Sequence, residues 1–506
     1  MLISSAEKLR RMRDGRAVYV GAERIGDVTA HRAFAAGAQA VAAFYDLKAS
    51  AGYRDDLTCE EDGARHSIWW LRPRNRDDLA RRMRGNKALA DMSFGFFGRS
   101  PDHIGSLVSG LAMKPSVLES LHKGRGDNLM RYYAHARDED IYLSYAVTPP
   151  SGVRSSEATP GAQVTHPSLR VVREEDDGVV ISGMKMLATA AVYADDIWIG
   201  NLQPLDESRL AESITCAIPI ATPGLSLWAR QPYAMNVRDP LDYPLSYRLD
   251  ESDCVLVCED VKVPWERIFL HNNAAKSRAI YLETPANCLA NHQSNCRFWA
   301  KMSLIVGLAS RACMVNGVDK IPAVREQLGR LAALEATIGA LVHGQIDALE
   351  AWPEGYVTPN RRMMYAALNW CQEHHTEIID TLRTLMGGCA AADAGGQQHS
   401  RRSGAECGVR ALVGHARHRG GRTHEALQTR VGHYRLGVRR TPPALREILR
   451  RARRAGARVL RPRSAVGPVP RDGRSRTRNS LGGFRGAEDS GANRALISPD
   501  RAPDCR

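Results

Sequence analysis

The sequence has no uninterrupted run of 18 apolar residues, so no transmembrane helix is expected. Near its start the basic residues Lys8, Arg10, Arg11, Arg13 and Arg16 are not followed by an apolar stretch, so secretion is not expected and a cytoplasmic location is. The 11 cysteines form no spaced framework, which favours a reduced, cytosolic chain over a disulfide scaffold. Cys254 and Cys258 lack a second close pair to complete a metal site. In the strand-like run Ser252–Val263 they read as small core residues, and no metal is expected. Neither a Gly-x-Gly-x-x-Gly fingerprint nor a P-loop occurs, so nothing signals a nicotinamide-dinucleotide or nucleoside-triphosphate site. Beyond Cys389 the chain has no lysine and only two aromatics, Tyr434 and Phe484. That stretch lacks the side chains of a packed core.

What is present fits a folded body. Hydrophobic residues make up 43% and charged residues 25%, and 506 residues is about three domains' worth. The formal net charge of +14 is unevenly placed. Residues 390–506 hold 26 Arg against 9 Asp and Glu, a net of +17, while residues 1–389 carry −3. A basic tail of that kind is one pattern for nucleic-acid binding, whereas the body is nearly neutral.

Along the chain the periodicity changes twice. Residues 1–140 mix helical spacing with turns. In Gly98-Arg-Ser-Pro-Asp-His103, Ser100 suits a helix N-cap, Pro101 the first helical position and Asp102 the positive end of the dipole. This predicts a helix through Ile104, Leu107, Val108 and Leu111. From about Tyr142, short β-type runs separated by Gly, Pro and Asp predict a barrel or sandwich over 141–275: Tyr142–Val147, Leu169–Val172, Gly178–Ile181, Asp196–Gly200, Ser213–Ile218 and Cys254–Val257. Then 276–388 turns helical, with segments His292–Val315, Ala323–Ala351 and Arg361–Met386. In the second of these, Leu328, Leu331, Ile338, Leu341 and Val342 recur at helical spacing, which predicts a bundle.

Taken together, several stretches make residues 1–388 resemble the 4-hydroxyphenylacetate 3-monooxygenase family, the oxygenase components of two-component, reduced-flavin-dependent phenol monooxygenases. These are Arg13–Tyr19 with Ile25–Thr29, Ser93-Phe-Gly with Gly98–His103, Gly183–Thr189, Val263-Pro-Trp-Glu-Arg267, and Asn291-His-Gln293 with Arg297 and Lys301. The resemblance implies an α+β, acyl-CoA dehydrogenase-like fold: an N-terminal helical domain, a middle β-barrel and a C-terminal helical bundle, in a homotetramer. It also implies FAD, taken up as FADH2 from a separate NAD(P)H:flavin reductase, with O2 as co-substrate. The oxygen then passes through a C4a-hydroperoxyflavin to a phenol.

The site residues follow from the same resemblance. Arg99 is expected to stabilise a phenolate, because a fixed guanidinium at a helix N-terminus favours an oxyanion. His103, on the first turn of that helix, stands where many relatives have Tyr. It is a candidate substrate ligand and proton carrier, its imidazolium disfavoured by the helix N-terminus. Tyr145, where several relatives have His, could bond the substrate hydroxyl or line the flavin edge. His292 is a candidate general base. Thr189 is expected near the flavin N5, with Ser151 and Arg154 on a loop that contacts the cofactor. Each has a plainer reading as well: Arg99 as a surface partner of Asp102, His292 as a hydrogen-bonded core histidine, Thr189 as an ordinary strand residue.

Beyond Gly388 the family pattern stops. Read one base on, codons for Glu425–Arg440 can spell KLFKLAWDIIGSEFAG, those for Thr441–Arg451 RHLRYEKYYAG, and those from Gly388 GALLQMP. These strings resemble the family's closing segment in order. A shift of reading frame near Gly388–Cys389 is therefore expected, with 389–506 an off-frame, disordered Arg-rich tail, a truncated bundle and impaired flavin binding. Two other functions stay open. One is a 4-hydroxybutyryl-CoA dehydratase-like enzyme, which would need cysteine ligands to an iron–sulfur cluster near Arg99 and His103. The other is nucleic-acid binding through the tail. Neither nucleic acid nor a membrane is the expected partner.

Overall fold

The computed structural model describes residues 2–150, 168–237 and 243–387. The expected tail, 389–506, lies outside the described residues.

The chain begins with helix Ser5–Arg11, capped by Ser4, and a hairpin of strands β1 (Ala17–Val20) and β2 (Glu23–Ile25). After helix Ala35–Leu47 come a second hairpin, β3 (Thr58–Glu61) with β4 (Ala64–Ser67), and helices Arg76–Met92, Pro101–Ala112 and Arg125–Asp138. The middle strands are β5 (Leu143–Ala146), β6 (Arg170–Glu175), β7 (Gly178–Lys185), β8 (Asp196–Ile199), β9 (Ile214–Pro219), β10 (Leu225–Ala229), β11 (Cys254–Pro264) and β12 (Ile268–His271). Helices Ala286–Val315, Pro322–Asp347 and Arg361–Met386 follow, the last two linked through a small pair, β13 (Glu350–Ala351) and β14 (Val357–Thr358).

Apart from the pairs β3-β4 and β13-β14, the described strands form two sheets. A six-stranded sheet runs β2-β1-β10-β11-β7-β6, and a four-stranded sheet runs β12-β9-β8-β5. Among the described residues they do not close into the expected barrel. The N-terminal stretch is mainly helical, as expected, but its strand β1 pairs in parallel with β10 and so enters the middle sheet. Strand β11 shows the alternation that buries one face, with Cys254, Leu256 and Cys258 inward. Both cysteines are core residues, and all eight described cysteines are buried and outside any disulfide. The sheet core centres on Trp198, whose ring stacks on Phe269 with centroids 4.9 Å apart.

The bundle has its own core, including Met302, Ile305, Ile338, Val342, Ile378 and Leu382. Helix Ala286–Val315 is long and apolar enough to cross a membrane by length and composition. It lies instead at the centre of the bundle, packed on Arg76–Met92, Pro101–Ala112, Pro322–Asp347 and Arg361–Met386. Its crossing with Pro101–Ala112 depends on Gly110, where a Cβ would come within 2.4 Å of the Ala286 Cα. That close approach holds the end of the shorter helix against the start of the longer one.

Candidate active site

The site is built around the N-terminus of helix Pro101–Ala112. The preceding loop is fixed by Gly95, which has φ +70° and lies so close to the long helix that a Cβ would stand 2.3 Å from the Arg297 carbonyl oxygen. Four residues on, the Arg99 backbone is held on both sides. Its N–H donates to Glu251 Oε1 at 2.5 Å, and its carbonyl accepts from the Tyr142 hydroxyl at 2.5 Å. The backbone is thereby fixed and the side chain directed to Tyr145. Arg99 Nη2 donates to the Tyr145 hydroxyl at 2.8 Å, and the guanidinium lies 5.0 Å from that ring's centroid. Arg99 Nε is buried and has no hydrogen-bond partner. Arg99 does not pair with Asp102, which is fully buried and bonded elsewhere.

His103 joins this pair. Its ring centroid is 5.9 Å from that of Tyr145. Burial, reinforced by the nearby Arg99 charge, pushes its pKa well below the ordinary histidine value, so the ring is neutral. His103 Nδ1 lies 3.1 Å from Gln293 Oε1. Gln293 Nε2 in turn reaches Ser100 Oγ and Asp102 Oδ1, each at 3.2 Å. Ser100 caps the helix by position only, because its hydroxyl donates to Asp102 Oδ1 at 2.5 Å rather than serving the backbone. Burial raises the Asp102 pKa to about 6, with Ser100 and Gln293 opposing the rise.

Arg99, His103 and Tyr145 therefore come together, while His292 sits elsewhere. On helix Ala286–Val315 it points into the bundle, with Nδ1 2.8 Å from Gln345 Oε1 and Nε2 3.6 Å from Cys296 Sγ. Both ring nitrogens are engaged, and burial pushes the pKa to about 4. The two residues are neighbours about 100° apart on the helix, so Gln293, not His292, reaches the Arg99 group. This corrects the expectation of His292 as the general base.

Thr189 is tied to β5 by Ser144 Oγ, which donates to the Thr189 carbonyl at 2.7 Å. The Thr189 hydroxyl donates to Asp253 Oδ1 at 2.6 Å, so its remaining capacity is as an acceptor. It lines a cavity of about 250 Å³ with Phe96, Arg230, Tyr233, Asp250 and Glu251. Ser151 and Arg154 lie outside the described residues.

Sequence reasoning did not assign Glu251, Gln293, Arg297 or Lys301 to the site. The last three recur at i, i+4 and i+8, a polar stripe along one face of an otherwise apolar helix. That stripe is the signal that could have found them. Burial raises the Glu251 pKa although the N–H groups of Gly98 and Arg99 and the Arg297 charge oppose it. Burial, followed by the Arg297 charge, lowers Lys301 to about 8, and its ammonium lies 5.0 Å from the Phe96 centroid. Arg297 Nε, like Arg99 Nε, is buried without a partner. Three cations thus stand near two carboxylates, Glu251 and Asp102, an excess that favours an added anion.

Comparison with known proteins gives the family. The family model for the 4-hydroxyphenylacetate 3-hydroxylase N terminal matches residues 5–270, and that for the C terminal matches 277–393. The 4-hydroxyphenylacetate 3-monooxygenase oxygenase component of Thermus thermophilus is 31% identical, over 72% of this chain and 74% of the relative. The 4-nitrophenol 2-monooxygenase oxygenase component of a Rhodococcus species is 30% identical, over 75% and 73%. A crystal structure of the HpaB oxygenase component, complexed with FAD and 4-hydroxyphenylacetate, superimposes with a TM-score of 0.74 at 25% identity, covering 91% of this chain and 100% of that one. The archaeal 4-hydroxybutyryl-CoA dehydratase of N. maritimus shares the fold (TM-score 0.75, 17% identity, 85% and 86% covered). Here Arg99 and His103 supply a guanidinium and an imidazole where that chemistry would need thiolates. The chain belongs to the 4-hydroxyphenylacetate 3-hydroxylase family.

Proposed function

We propose that this protein is the oxygenase component of a two-component flavin monooxygenase that hydroxylates a phenol, with reduced FAD supplied by a separate reductase and O2 as co-substrate. The observation that carries the reading is the convergence of Arg99, Tyr145 and neutral His103 at one helix N-terminus.

The residues present suit a reduced flavin beside a phenol. The buried, unpartnered Nε atoms of Arg99 and Arg297, and the excess of cations over the Glu251 and Asp102 carboxylates, match an anionic guest. Thr189 and Tyr145 would hold the cofactor, together with Ser151 and Arg154. The bound reduced flavin would supply the activation of O2 and the transfer of one oxygen atom. The chain's own groups prepare the phenol. Because Tyr145 accepts from Arg99, its own hydroxyl proton is free to donate to the substrate oxygen. Arg99 and Tyr145 then stabilise the phenolate, the form electron-rich enough to accept oxygen. Neutral His103 accepts the phenol proton at the ring nitrogen not engaged by Gln293. Phe97, Ile104 and Tyr142, next to Arg99 and His103 in sequence or by hydrogen bond, are fully buried, and a dry backing of this kind would favour the reaction.

4-Hydroxyphenylacetate and 4-nitrophenol, named for the relatives, are the first substrates to test. A homotetramer is part of the proposal, supported by the exposed apolar Met314, Ile321 and Met363 on the bundle helices. A reducing cytoplasm is supported by the buried cysteines outside any disulfide. The test is product formation by the protein with its reading frame moved by one base at codons 388–389, with a flavin reductase, FAD, NADH and O2, across a panel of para-substituted phenols. Formation of ortho-hydroxylated product supports the reading; NADH consumption yielding only hydrogen peroxide with every phenol would refute it.

A further inference from the structure

The hydrogen bonds around Gln293 have only one consistent direction. Asp102, as a carboxylate, offers lone pairs alone. The Ser100 hydroxyl gives its proton to Asp102 Oδ1, so toward Gln293 its oxygen can only accept. Both Gln293 contacts on that side, at 3.2 Å, must therefore be made by the amide NH2. The amide oxygen is left facing His103 Nδ1 at 3.1 Å. An acceptor at that distance requires a proton on Nδ1. Turning the amide over would set its oxygen against the Asp102 carboxylate inside a fully buried pocket.

We infer that Gln293 is a positioning residue which, anchored by Asp102 and Ser100, fixes His103 as the Nδ1–H tautomer and leaves the lone pair on Nε2. This inference rests on the proposed role of His103 as proton acceptor and adds what decides which nitrogen does the accepting. Gln293 touches neither reacting atom. It acts through the ring, as a partner that orients a catalytic imidazole does. A free imidazole has no such fixed choice between its two nitrogens.

The test is solid-state 15N NMR of the full-length protein labelled at histidine, at pH 8, where Asp102 is ionised. The His103 signals are identified by their loss in His103→Ala. The expected result is a proton on Nδ1 and a bare Nε2. Gln293→Leu is expected to move the proton to Nε2 or to mix the tautomers, while Gln293→Glu, whose carboxyl shares one proton with Asp102 in place of the amide N–H and keeps an acceptor against Nδ1, retains the native tautomer. An Nε2–H tautomer in the unmutated protein would overturn the inference, as would an unchanged His103 spectrum in Gln293→Leu. Gln293→Glu serves as the control should the leucine variant fail to fold, since an Nε2–H tautomer there would also contradict it. The readout needs no turnover, so it is separate from the proposed function. If the tautomer responds as expected while His103→Ala still hydroxylates normally, the role of His103 fails and the tautomer assignment stands.

Discussion

Arg99 and Tyr145 form one unit, with guanidinium Nη2 2.8 Å from the phenol oxygen and the cation 5.0 Å from the ring centroid. The bond points one way, from Arg99 to Tyr145, so the tyrosine proton remains available for a substrate oxyanion. Arg99→Ala removes the charge and also leaves Tyr145 without its orienting donor. Product formation is expected to fall on the order of 100- to 1,000-fold, the range for losing a principal oxyanion donor. Tyr145→Phe keeps the charge and is expected to lose about tenfold. Steady-state hydroxylation with a saturating reductase measures both, and a larger loss in Tyr145→Phe than in Arg99→Ala would reverse the assignment.

Asp102 gives a pH-dependent stability with a definite sign. Its pKa is raised from 3.8 to about 6, so the folded protein prefers the protonated acid. The stability this contributes is full below pH 3.8 and is lost as pH rises through about 6. Asp102→Asn keeps a neutral acceptor for Ser100 and Gln293. It is expected to stabilise the protein by about 2–3 kcal/mol at pH 8, with the gain vanishing toward pH 4. The groups felt by or touching Asp102, namely Ser100, Gln293, Arg82, Cys296, Arg297 and Tyr142, are unchanged in this variant. Thermal unfolding at the two pH values measures the effect; equal melting temperatures for both proteins at pH 8 would contradict it.

His292 behaves in the opposite sense. Its pKa is lowered from 6.5 to about 4, so the stability it contributes is present above pH 6.5 and is lost as pH falls through about 4. His292→Ala is expected to cost about 1–3 kcal/mol by leaving Gln345 Oε1 buried without its donor. It should leave the yield of hydroxylated product per NADH within about threefold of the unmutated protein once folded, because its partners are Gln345 and Cys296. Chemical denaturation and product analysis separate the two effects. A normal stability with abolished hydroxylation would restore it as a general base.

The reading-frame change proposed near Gly388–Cys389 makes its own prediction. The match to the C-terminal family model ends at residue 393. Moving the frame by one base at codons 388–389 is expected to replace the Arg-rich segment with the family's closing segment. The restored protein is expected to bind reduced FAD at least tenfold more tightly than the 506-residue chain, as a completed pocket should. Anaerobic titration measures the two affinities, and equal tight binding by both proteins would contradict the proposal.

The parts of this molecule that could be read from sequence are those set by local rules. The helix at Pro101 was legible because its cap, first-turn proline and acidic residue act within one turn. The bundle helix ending at Met386 was legible from its 3.6-residue apolar spacing. Strand β1 was not, since it is made by pairing with β10 some 200 residues away, and β2 pairs in turn with β1. The absence of barrel closure likewise depends on long-range pairing. Within the site, the proximity of Arg99, His103 and Tyr145 followed from the family resemblance. The placement of His292 and Gln293 did not, because it depends on the rotation of one helix, which adjacent residues in a motif cannot reveal.

The most direct measurement is isotope incorporation under 18O2 by the frame-restored protein, with reductase, NADH, FAD and 4-hydroxyphenylacetate or 4-nitrophenol. One 18O atom per molecule is expected in an ortho-hydroxylated product, and that product should disappear in Arg99→Ala while NADH oxidation by the reductase continues. A product bearing oxygen from water, or equal labelled product from Arg99→Ala, would contradict the account.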